Sequence, residues 1–301
     1  MSVIVPAYNS ASTIEDTLRS VVRQTYGDWE IVVADDASAD DSAAVAAAVD
    51  PRVRVVRAER NGGPAAARNL ALAHARGELV ALLDADDRWL PEYLQTMVSA
   101  YDREDRGTGA VGVVCCDAYV EGPDGRLPQT YRQRIAAPDD VDLATLLQAN
   151  VIFISALMPR RPVMEVGGFD VRTFGSEDHD LFLKLVELGL RVVVVPQPLA
   201  IYRVAAASVS ASAAGMARTG RTTYRLALAR GRLRGRERRI AQRQLAIQRA
   251  IEALETRGAR SPRALAGAAV AFGAEALARP RMWPVWTRRV LSGEVRPWRS
   301  R

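Results

Sequence analysis

The chain has 301 residues, of which 49% are hydrophobic and 25% charged, so wholesale disorder is excluded and one large domain with an appendage is expected. No apolar run reaches the roughly 18 residues of a membrane-spanning helix, and the N-terminus lacks the basic start of a secretory signal peptide. The formal net charge of +6 is uneven, because residues 1–200 mix both signs whereas residues 216–301 are rich in arginine. We therefore expect a cytoplasmic protein without a nucleic-acid partner. Two uses of the basic stretch remain open, a solvated helix face and a surface that contacts the inner face of a membrane.

The first 120 residues alternate between short apolar strands and helical segments. We predict strands at SVIVP, WEIVVADD, VRVVR, ELVALLDADD and VGVVCCDAYV, and helices over residues 11–24, 42–49, 62–75 and 91–101. Strands of continuous apolar character between helices are typical of a mostly parallel sheet that is covered on both faces. Cys115 and Cys116 are neighbours on one such strand and point to opposite faces, which indicates free thiols in the core.

The alternation ends near residue 121. Residues 121–141 are polar and are predicted to form a loop, and VIFISALM a strand. A glycine-rich loop, a helix that starts near Ser176 and two short strands, RVVVVP and LAIYR, follow. The pattern from Met216 to about Arg257 contains no proline and predicts one long helix. Residues 213–301 are thus predicted to be an arginine-rich helical extension.

Polar residues follow several of the predicted strands at the point where each ends. They are Pro6, Ala7, Tyr8, Asp35, Asp36, Asp84, Asp86 and Asp87. In open parallel α/β sheets, ligands bind at the carboxyl ends of the strands, so these residues should share one rim. Carboxylates without a Cys/His set suit Mg²⁺ or Mn²⁺, and Mg²⁺ typically joins carboxylates to substrate phosphates. The D-x-D pair Asp84 and Asp86, on one side of an extended strand end, is therefore predicted to hold a cation and a diphosphate. Helix capping and turn formation would explain one of the three clustered acids, and poorly all three.

A second acidic group starts the helix near Ser176. Glu177 and Asp178 would lie at its positive end, facing the preceding glycine-rich loop. Its buried stripe is predicted to consist of Leu181, Leu185 and Leu188. A carboxylate fixed at such a position could act as a general base, and helix capping is the alternative.

Six segments, VIVPAYN, VVADDASADDS, NGGPAAARN, LLDADDRWLP, GGFD and EDHDLFLKL, occur in an order that resembles family 2 glycosyltransferases of the GT-A fold. The resemblance covers about residues 1–205. It implies a catalytic domain over residues 1–212, with a nucleotide-binding half over about 1–120 and an acceptor half over about 121–212. It further implies transfer of a sugar, with inversion, from a nucleotide-diphosphate donor, UDP-sugar being favoured, with Mg²⁺ or Mn²⁺. The acceptor would be a glycan, a lipid-linked glycan or a small molecule, in polysaccharide or glycoconjugate biosynthesis.

The resemblance also implies roles for single nucleotide-binding residues. Asp35 or Asp36 would hydrogen-bond the base, which Pro6, Ala7 and Tyr8 would border. Arg68 would reach the nucleotide, the alternative being an arginine on the helix surface.

The resemblance assigns the remaining site residues to the metal and to catalysis. Asp84 would contact the ribose and the metal, and Asp86 would be the main metal ligand. Asp178 matches the catalytic base, and Glu177 would orient the acceptor or the base. Three further residues are expected to contact these side chains without binding the ligand directly. They are Asp87, Arg203 and His179.

One histidine of the family pattern is missing. Members often continue their final Tyr-Arg as YRxH, whereas this chain has Ala205 at that position. Ser208 or a water molecule would then complete the metal site. The missing histidine keeps an alternative open, a catalytically impaired scaffold that docks on a membrane or partner through its basic tail, but the intact Asp86 and Asp178 favour an enzyme. The extension could also form a homodimer or, through Trp283 and Trp286, contact a membrane.

Overall fold

The structure is a computed structural model that describes residues 1–204 and 213–257. In chain order, its elements are β1 (Ser2–Ala7), α1 (Ile14–Val22), β2 (Glu30–Asp35), α2 (Ser42–Ala47), β3 (Val53–Arg57), α3 (Pro64–His74), β4 (Leu79–Leu82), β5 (Arg88–Trp89), α4 (Tyr93–Asp105), β6 (Val111–Gly122), β7 (Gly125–Arg126), α5 (Tyr131–Ile135), α6 (Leu143–Gln148), β8 (Ala156–Pro159), α7 (Arg160–Glu165), a 3-10 helix (Val171–Thr173), α8 (Glu177–Glu187), β9 (Arg191–Arg203), α9 (Ala213–Ala229) and α10 (Gly235–Arg257).

The described strands form one sheet in the order β3-β2-β1-β4-β8-β6-β9-β5, with β7 paired to β6. The pairs β1–β2, β2–β3, β1–β4 and β6–β9 are parallel, and β8 runs antiparallel between β4 and β6. The prediction of a mostly parallel sheet between helices is therefore confirmed. Since neighbouring side chains on a strand point to opposite faces, Val3 and Val5 enter the core under α1 and α4, and Ile4 the core under α3 and α8.

Several predicted elements differ from those observed. The predicted loop 121–141 contains the hairpin strand β7 and helix α5, and only the end of VIFISALM pairs in the sheet as β8. The two predicted strands RVVVVP and LAIYR form one strand, β9, with a register shift where Asp117 pairs with Pro198. Proline lacks an amide hydrogen, so Pro196 and Pro198 interrupt the ladder, which resumes beyond the bulge. Leu188 is 43% exposed instead of buried, because α8 ends at Glu187.

The single helix predicted between Met216 and Arg257 is two helices, α9 and α10, which fold back on each other. Gly231 and Gly235 take φ values of +71° and +40° in the turn between them, a conformation that glycine adopts without strain. Leu233 of this turn is buried in the core that also contains α8. None of the described helices is long and apolar enough to cross a membrane.

Arg230, at the end of α9, attaches this helical hairpin to α8. Its guanidinium donates to both carboxylate oxygens of Glu187 at 2.7 and 2.9 Å and to Asp180 at 2.7 Å. The side chains of Asp180 and Glu187 are almost completely buried. The hairpin thus packs directly on the helix that begins with Glu177 and Asp178. The predicted domain boundary at residue 212 falls outside the described residues and stays a prediction.

Candidate active site

The D-x-D acids lie in a turn after β4. The carboxylates of Asp84, Asp86 and Asp87 come within 4.8 Å of one another. The backbone N–H of Asp87 donates to the carbonyl of Asp84 at 3.1 Å, and the hydroxyls of Thr13 and Thr17 each donate to the carbonyl of Ala85 at 2.9 Å. The acids therefore converge through a turn that α1 holds in place, and the extended geometry expected for them is wrong.

The acidic turn fits a divalent cation. Asp87 is buried; one of its oxygens accepts the N–H of Arg203 at 2.9 Å, and the other has no hydrogen-bond partner among the described residues. Burial and the charges of its acidic neighbours raise the pKa of Asp87 well above its ordinary range, and burial and Asp84 raise the pKa of Asp86. Crowded carboxylates with raised pKa values are stabilised by a bound cation, whose charge compensates theirs.

Arg68 joins this turn to the second acidic motif. Its guanidinium donates to Asp84 at 2.6 Å and to Glu177 at 2.5 Å, although these acids are 93 positions apart in the chain. The side chain is only 5% exposed, so the alternative of a surface arginine is wrong. Burial lowers the pKa of Arg68, but the charges of Asp84 and Glu177 outweigh that effect and raise it, so the group stays charged.

Asp178 lies in the first turn of α8, beside the partly buried Asn150. Its Oδ2 accepts a hydrogen bond from the side-chain amide of Asn150 at 2.9 Å. Burial, with a smaller contribution from the charge of Glu177, raises the pKa of Asp178 to about 6, against the opposing effects of Arg68 and Asn150. Glu177 has different partners, since one oxygen is bound by Arg68 and the second accepts the N–H of Gly175 at 2.6 Å. Of the two acids, Asp178 therefore has the electrostatic properties of a base near neutral pH.

The ends of β1 and β2 meet beside this region. The N–H of Asp36 donates to the carbonyl of Ala7 at 2.8 Å, which places Pro6 and Ala7 against the second strand. Tyr8 follows and is 54% exposed, so its ring is available to a ligand. The rim predicted from the strand ends is thus present in the structure.

Asp35 and Asp36 have different environments. Both oxygens of Asp36 accept backbone N–H groups at the start of α3, from Gly62 at 2.9 Å and Gly63 at 2.7 Å. Asp35 is buried, and its Oδ2 forms an ion pair with Nε of Arg57 at 3.2 Å but accepts no hydrogen bond within the described part of the chain. Asp36 therefore shapes the glycine turn, and Asp35 keeps an acceptor oxygen.

Two residues expected to support the site are bound elsewhere by their side chains. Nε2 of His179 lies 2.7 Å from the carbonyl of Leu146, and the ring packs edge-on against Tyr224, so His179 faces the helical core. The guanidinium of Arg203 is 3.3 Å from Asp16 and 3.9 Å from Glu121, and only its backbone contacts the acidic turn. Ala205 and Ser208, and Trp283 and Trp286, lie outside the described residues.

No sequence pattern points to Asn150 as a functional residue. It lies in an irregular segment between α6 and β8, and a single asparagine there matches no motif. Only the folded structure brings its side chain to Asp178, 28 residues later in the chain.

The chain matches the model of glycosyl transferase family 2 over residues 2–167. The protein belongs to this family. It is 34% identical to the succinoglycan biosynthesis protein ExoO of Rhizobium meliloti over 69% of this chain and 61% of ExoO, so it spans less than two thirds of that relative. It is 29% identical to the putative teichuronic acid biosynthesis glycosyltransferase TuaG of Bacillus subtilis, over 70% of this chain and 82% of TuaG. It is 28% identical to WfaP of Escherichia coli, a UDP-Glc:alpha-D-GlcNAc-diphosphoundecaprenol beta-1,3-glucosyltransferase, over 70% of this chain and 80% of WfaP.

Solved structures of low sequence identity share the fold. S. aureus TarS in complex with UDP-GlcNAc aligns with a TM-score of 0.66 at 20% identity, over 90% of this chain and 79% of TarS 1-349. The mannosyltransferase PcManGT of Pyrobaculum calidifontis, in complex with GDP-Man and Mn²⁺, aligns with a TM-score of 0.65 at 23% identity, over 97% of this chain and 78% of that protein. The expected GT-A fold is thereby confirmed, and so is the expected glycosyltransferase family.

Proposed function

We propose that this glycosyltransferase moves a hexose, with inversion, from a UDP-sugar to a hydroxyl of a lipid-linked glycan in polysaccharide biosynthesis. The observation that carries the proposal is the Arg68 bridge, which holds the acidic turn and the start of α8 together. Sugar transfer would require the residues that bind the diphosphate and the residue that acts as the base to lie in one reaction centre, and the Arg68 bridge brings these two groups together. The lipid-linked acceptor is supported by the activity in the name of WfaP.

Asp178 is the proposed general base. Asn150 fixes one of its oxygens, so the carboxylate is oriented, and a pKa of about 6 leaves it mostly ionised at neutral pH while still able to take a proton. The acceptor hydroxyl would lose its proton to Asp178 as its oxygen attacks the anomeric carbon, in one displacement that inverts the configuration. Glu177, held by Arg68 and by the N–H of Gly175, would maintain the orientation of the first turn of α8.

Asp84 and Asp86 are the proposed ligands of Mg²⁺ or Mn²⁺, with Asp87 completing the acidic turn. A cation there would take charge from the departing diphosphate as a Lewis acid. Support comes from the unpartnered oxygen of Asp87 and from the carboxylate-only donor set, which suits hard cations. The structural neighbour PcManGT was solved with Mn²⁺.

Asp35 is the proposed contact of the base, in preference to Asp36. The oxygens of Asp36 already accept two backbone N–H groups, whereas Oδ2 of Asp35 accepts no hydrogen bond within the described residues and is held only by an ion pair with the exposed Arg57. Tyr8 would lie against the base, because its ring is exposed at the same rim. Uracil is favoured over guanine because WfaP is named for UDP-Glc and TarS was solved with UDP-GlcNAc.

Thermal stability with nucleotides tests the donor class. Ligands that bind only the folded protein raise its melting temperature. UDP with Mn²⁺ should raise it, GDP-mannose should raise it less, and Asp86→Asn should remove the metal-dependent part of the shift. If no nucleotide raises the melting temperature of the wild type, the donor assignment is wrong and the scaffold interpretation is favoured instead. Product stereochemistry, read by NMR on a GlcNAc-diphosphoryl alkyl lipid, then tests inversion and the acceptor.

The turn between α9 and α10, together with the start of α10, is the proposed contact with an anionic membrane surface that presents this acceptor. Residues 231–243, which we call the basic turn, contain one acid, Glu237. Its exposed arginines are Arg232, Arg234, Arg236, Arg238, Arg239 and Arg243. Each arginine near an anionic surface contributes about 1 kcal/mol to binding. The basic turn has no aromatic residue to stack on nucleic-acid bases, and Leu233 is buried, so the contact would be electrostatic.

Sedimentation with vesicles of phosphatidylcholine and phosphatidylglycerol tests this surface. Replacing Arg236, Arg238 and Arg239 together by glutamine should weaken binding at low salt by about 100-fold, the equivalent of about 3 kcal/mol. The matched control replaces the exposed Arg19, Arg103 and Arg161 by glutamine, which changes the net charge equally on other surfaces. Equal effects of the two triple variants, or binding that survives high salt, would refute the assignment.

A further inference from the structure

Three aromatic rings from distant parts of the chain pack together beside the proposed reaction centre. The ring centroids of Tyr131 and Phe153 are 5.2 Å apart, those of Phe153 and Tyr202 are 5.5 Å apart, and those of Tyr131 and Tyr202 are 6.0 Å apart. Phe153 is buried, whereas Tyr131 and Tyr202 keep part of their surface exposed. We call these residues the aromatic triad.

One side of the aromatic triad is connected to Asp178. Asn150, which donates to Asp178 at 2.9 Å, lies three residues before Phe153, and its own side-chain oxygen accepts the N–H of Ile152 at 3.3 Å. Tyr131 is close enough to Asp178 to respond to its charge, because burial and then Asp178 raise the pKa of Tyr131. The proposed base thus lies next to the Tyr131 side of the triad.

The other side of the aromatic triad is connected to the acidic turn. Tyr202 directly precedes Arg203, whose N–H donates to Asp87 at 2.9 Å. Both residues lie on β9, where Tyr202 is paired with Val120 of β6. Through residues next to it in the chain, the triad is therefore connected both to the acids proposed to hold the diphosphate and to the acid proposed to deprotonate the acceptor.

Tyr131 is held in place although α5 has only five residues. Thr130 and Gln133 form a capping box at its N-terminus, and the N–H of Arg132 donates to Asp117 of β6 at 2.9 Å. The guanidinium of Arg132 also donates to the carbonyl of Pro138 at 2.5 Å. A ring fixed by its neighbours loses little conformational entropy when a ligand packs on it.

We infer that the aromatic triad is the acceptor-sugar subsite, with the ring of Tyr131 as the surface on which the sugar lies. This inference rests on the proposed function, since it is the position of Asp178 that selects the acceptor as the occupant. A pyranose has one face of C–H groups, which packs on an aromatic ring by dispersion and burial of apolar area, while its hydroxyls remain directed at polar groups. The charge of Asp178 reaches Tyr131, so a sugar on this ring would present a hydroxyl to Asp178.

Saturation-transfer NMR with simple glycosides tests the subsite without turnover. The probes are the methyl glycosides of glucose, galactose, mannose and N-acetylglucosamine, each added to the full chain with UDP and Mg²⁺. At least one glycoside should receive saturation from the wild type. Tyr131→Leu should weaken its binding about tenfold, and Tyr131→Phe should retain it, because the ring and not the hydroxyl forms the surface. Tyr202→Leu serves as a second variant, expected to weaken binding, in case Tyr131→Leu does not fold.

Tyr101→Leu is the matched control. Tyr101 is a partly buried tyrosine packed against the same core cluster, but it lies on α4, and the acids whose charges raise its pKa are not residues of the proposed site. Glycoside binding should be unchanged in this variant. The inference is overturned if no glycoside binds the wild type, if Tyr131→Leu binds as the wild type does, or if Tyr131→Phe loses binding as fully as Tyr131→Leu. If the inference fails in one of these ways but UDP still raises the melting temperature of the wild type, the proposed function stands. If UDP does not raise that melting temperature, the proposed function and this inference are both refuted.

Discussion

Replacing Asp178 by asparagine is expected to abolish sugar transfer and, at the same time, to make the protein more stable at neutral pH. Asparagine has the same shape and still accepts the hydrogen bond from Asn150, so the contact in the structure survives. What disappears is the charge. Because burial raises the folded-state pKa of this acid from 3.8 to about 6, Asp178 destabilises the folded protein increasingly as the pH rises above about 4, and by the full amount above about pH 6.

The magnitude follows from the pKa shift. One pKa unit corresponds to 1.36 kcal/mol, so a shift from 3.8 to about 6 corresponds to about 3 kcal/mol. Asp178→Asn should therefore gain about 3 kcal/mol of unfolding free energy at pH 8, where Asp178 is ionised in both states. At pH 5 the gain should fall to about 1.6 kcal/mol, and below about pH 3 it should vanish, because the acid is then protonated in both states.

Urea denaturation of the wild type and of Asp178→Asn at pH 5, 6, 7 and 8 measures this gain. Asp170→Asn is the control of opposite sign, because Arg172 lowers the pKa of Asp170 to about 2, and its neutralisation should destabilise the protein at pH 7. In parallel, kcat/KM of the wild type should fall tenfold per pH unit below about pH 6, as the base becomes protonated. A gain in stability that does not depend on pH, or an Asp178→Asn variant that still transfers sugar, would refute the reasoning.

Three further substitutions test the contacts that hold the site together, each by urea denaturation at pH 7. Arg68→Met leaves the buried Glu177 and the partly buried Asp84 without their cation and should cost about 3 kcal/mol, of which Arg68→Lys should recover part; equal stability of the wild type and Arg68→Met would contradict the bridge. Gly168→Ala puts a Cβ atom 2.5 Å from a side-chain oxygen at a φ of +62° and should cost more than 2 kcal/mol, against roughly 1 kcal/mol for Gly167→Ala, where space is open. Arg230→Met should cost about 3 kcal/mol because its partners on α8 are buried, and Arg221→Met, in a more exposed pair, less than about 1 kcal/mol; similar losses would show that Arg230 has no special role in docking.

The rim of the site could be predicted from the sequence because it depends on a local rule. Each apolar strand ends in polar residues, and parallel strands bring those ends to one edge of the sheet, so Asp35 and Asp84 could be placed together without knowing any contact. The geometry of the acidic turn could not be predicted in the same way. It depends on Thr13, just before α1, and on Thr17 of α1, whose hydroxyls donate to the carbonyl of Ala85 across 72 and 68 positions of the sequence.

The acceptor half was harder to predict, because its residues come from irregular segments. Tyr131 belongs to a short helix inside a polar stretch that has no apolar period, and Asn150 to a segment without regular structure. The break between α9 and α10 is difficult to predict from the sequence for a related reason. Proline usually marks a helix end in a sequence, whereas here Gly231 and Gly235 reverse the chain through positive φ angles, which leave no periodic signal.

The burial of Arg68 shows what connects the two halves. Asp84, Asp86, Asp87, Glu177 and Asp178 place five carboxylates around this one guanidinium, which bonds to only two of them. The uncompensated charge, together with burial, raises the pKa of Asp86, Asp87 and Asp178. The same excess of negative charge therefore serves both ends of the proposed reaction: it makes the acidic turn a favourable place for a divalent cation, and it keeps Asp178 basic enough to accept a proton near neutral pH. A site balanced by a second buried arginine would be more stable, and it would lose both properties.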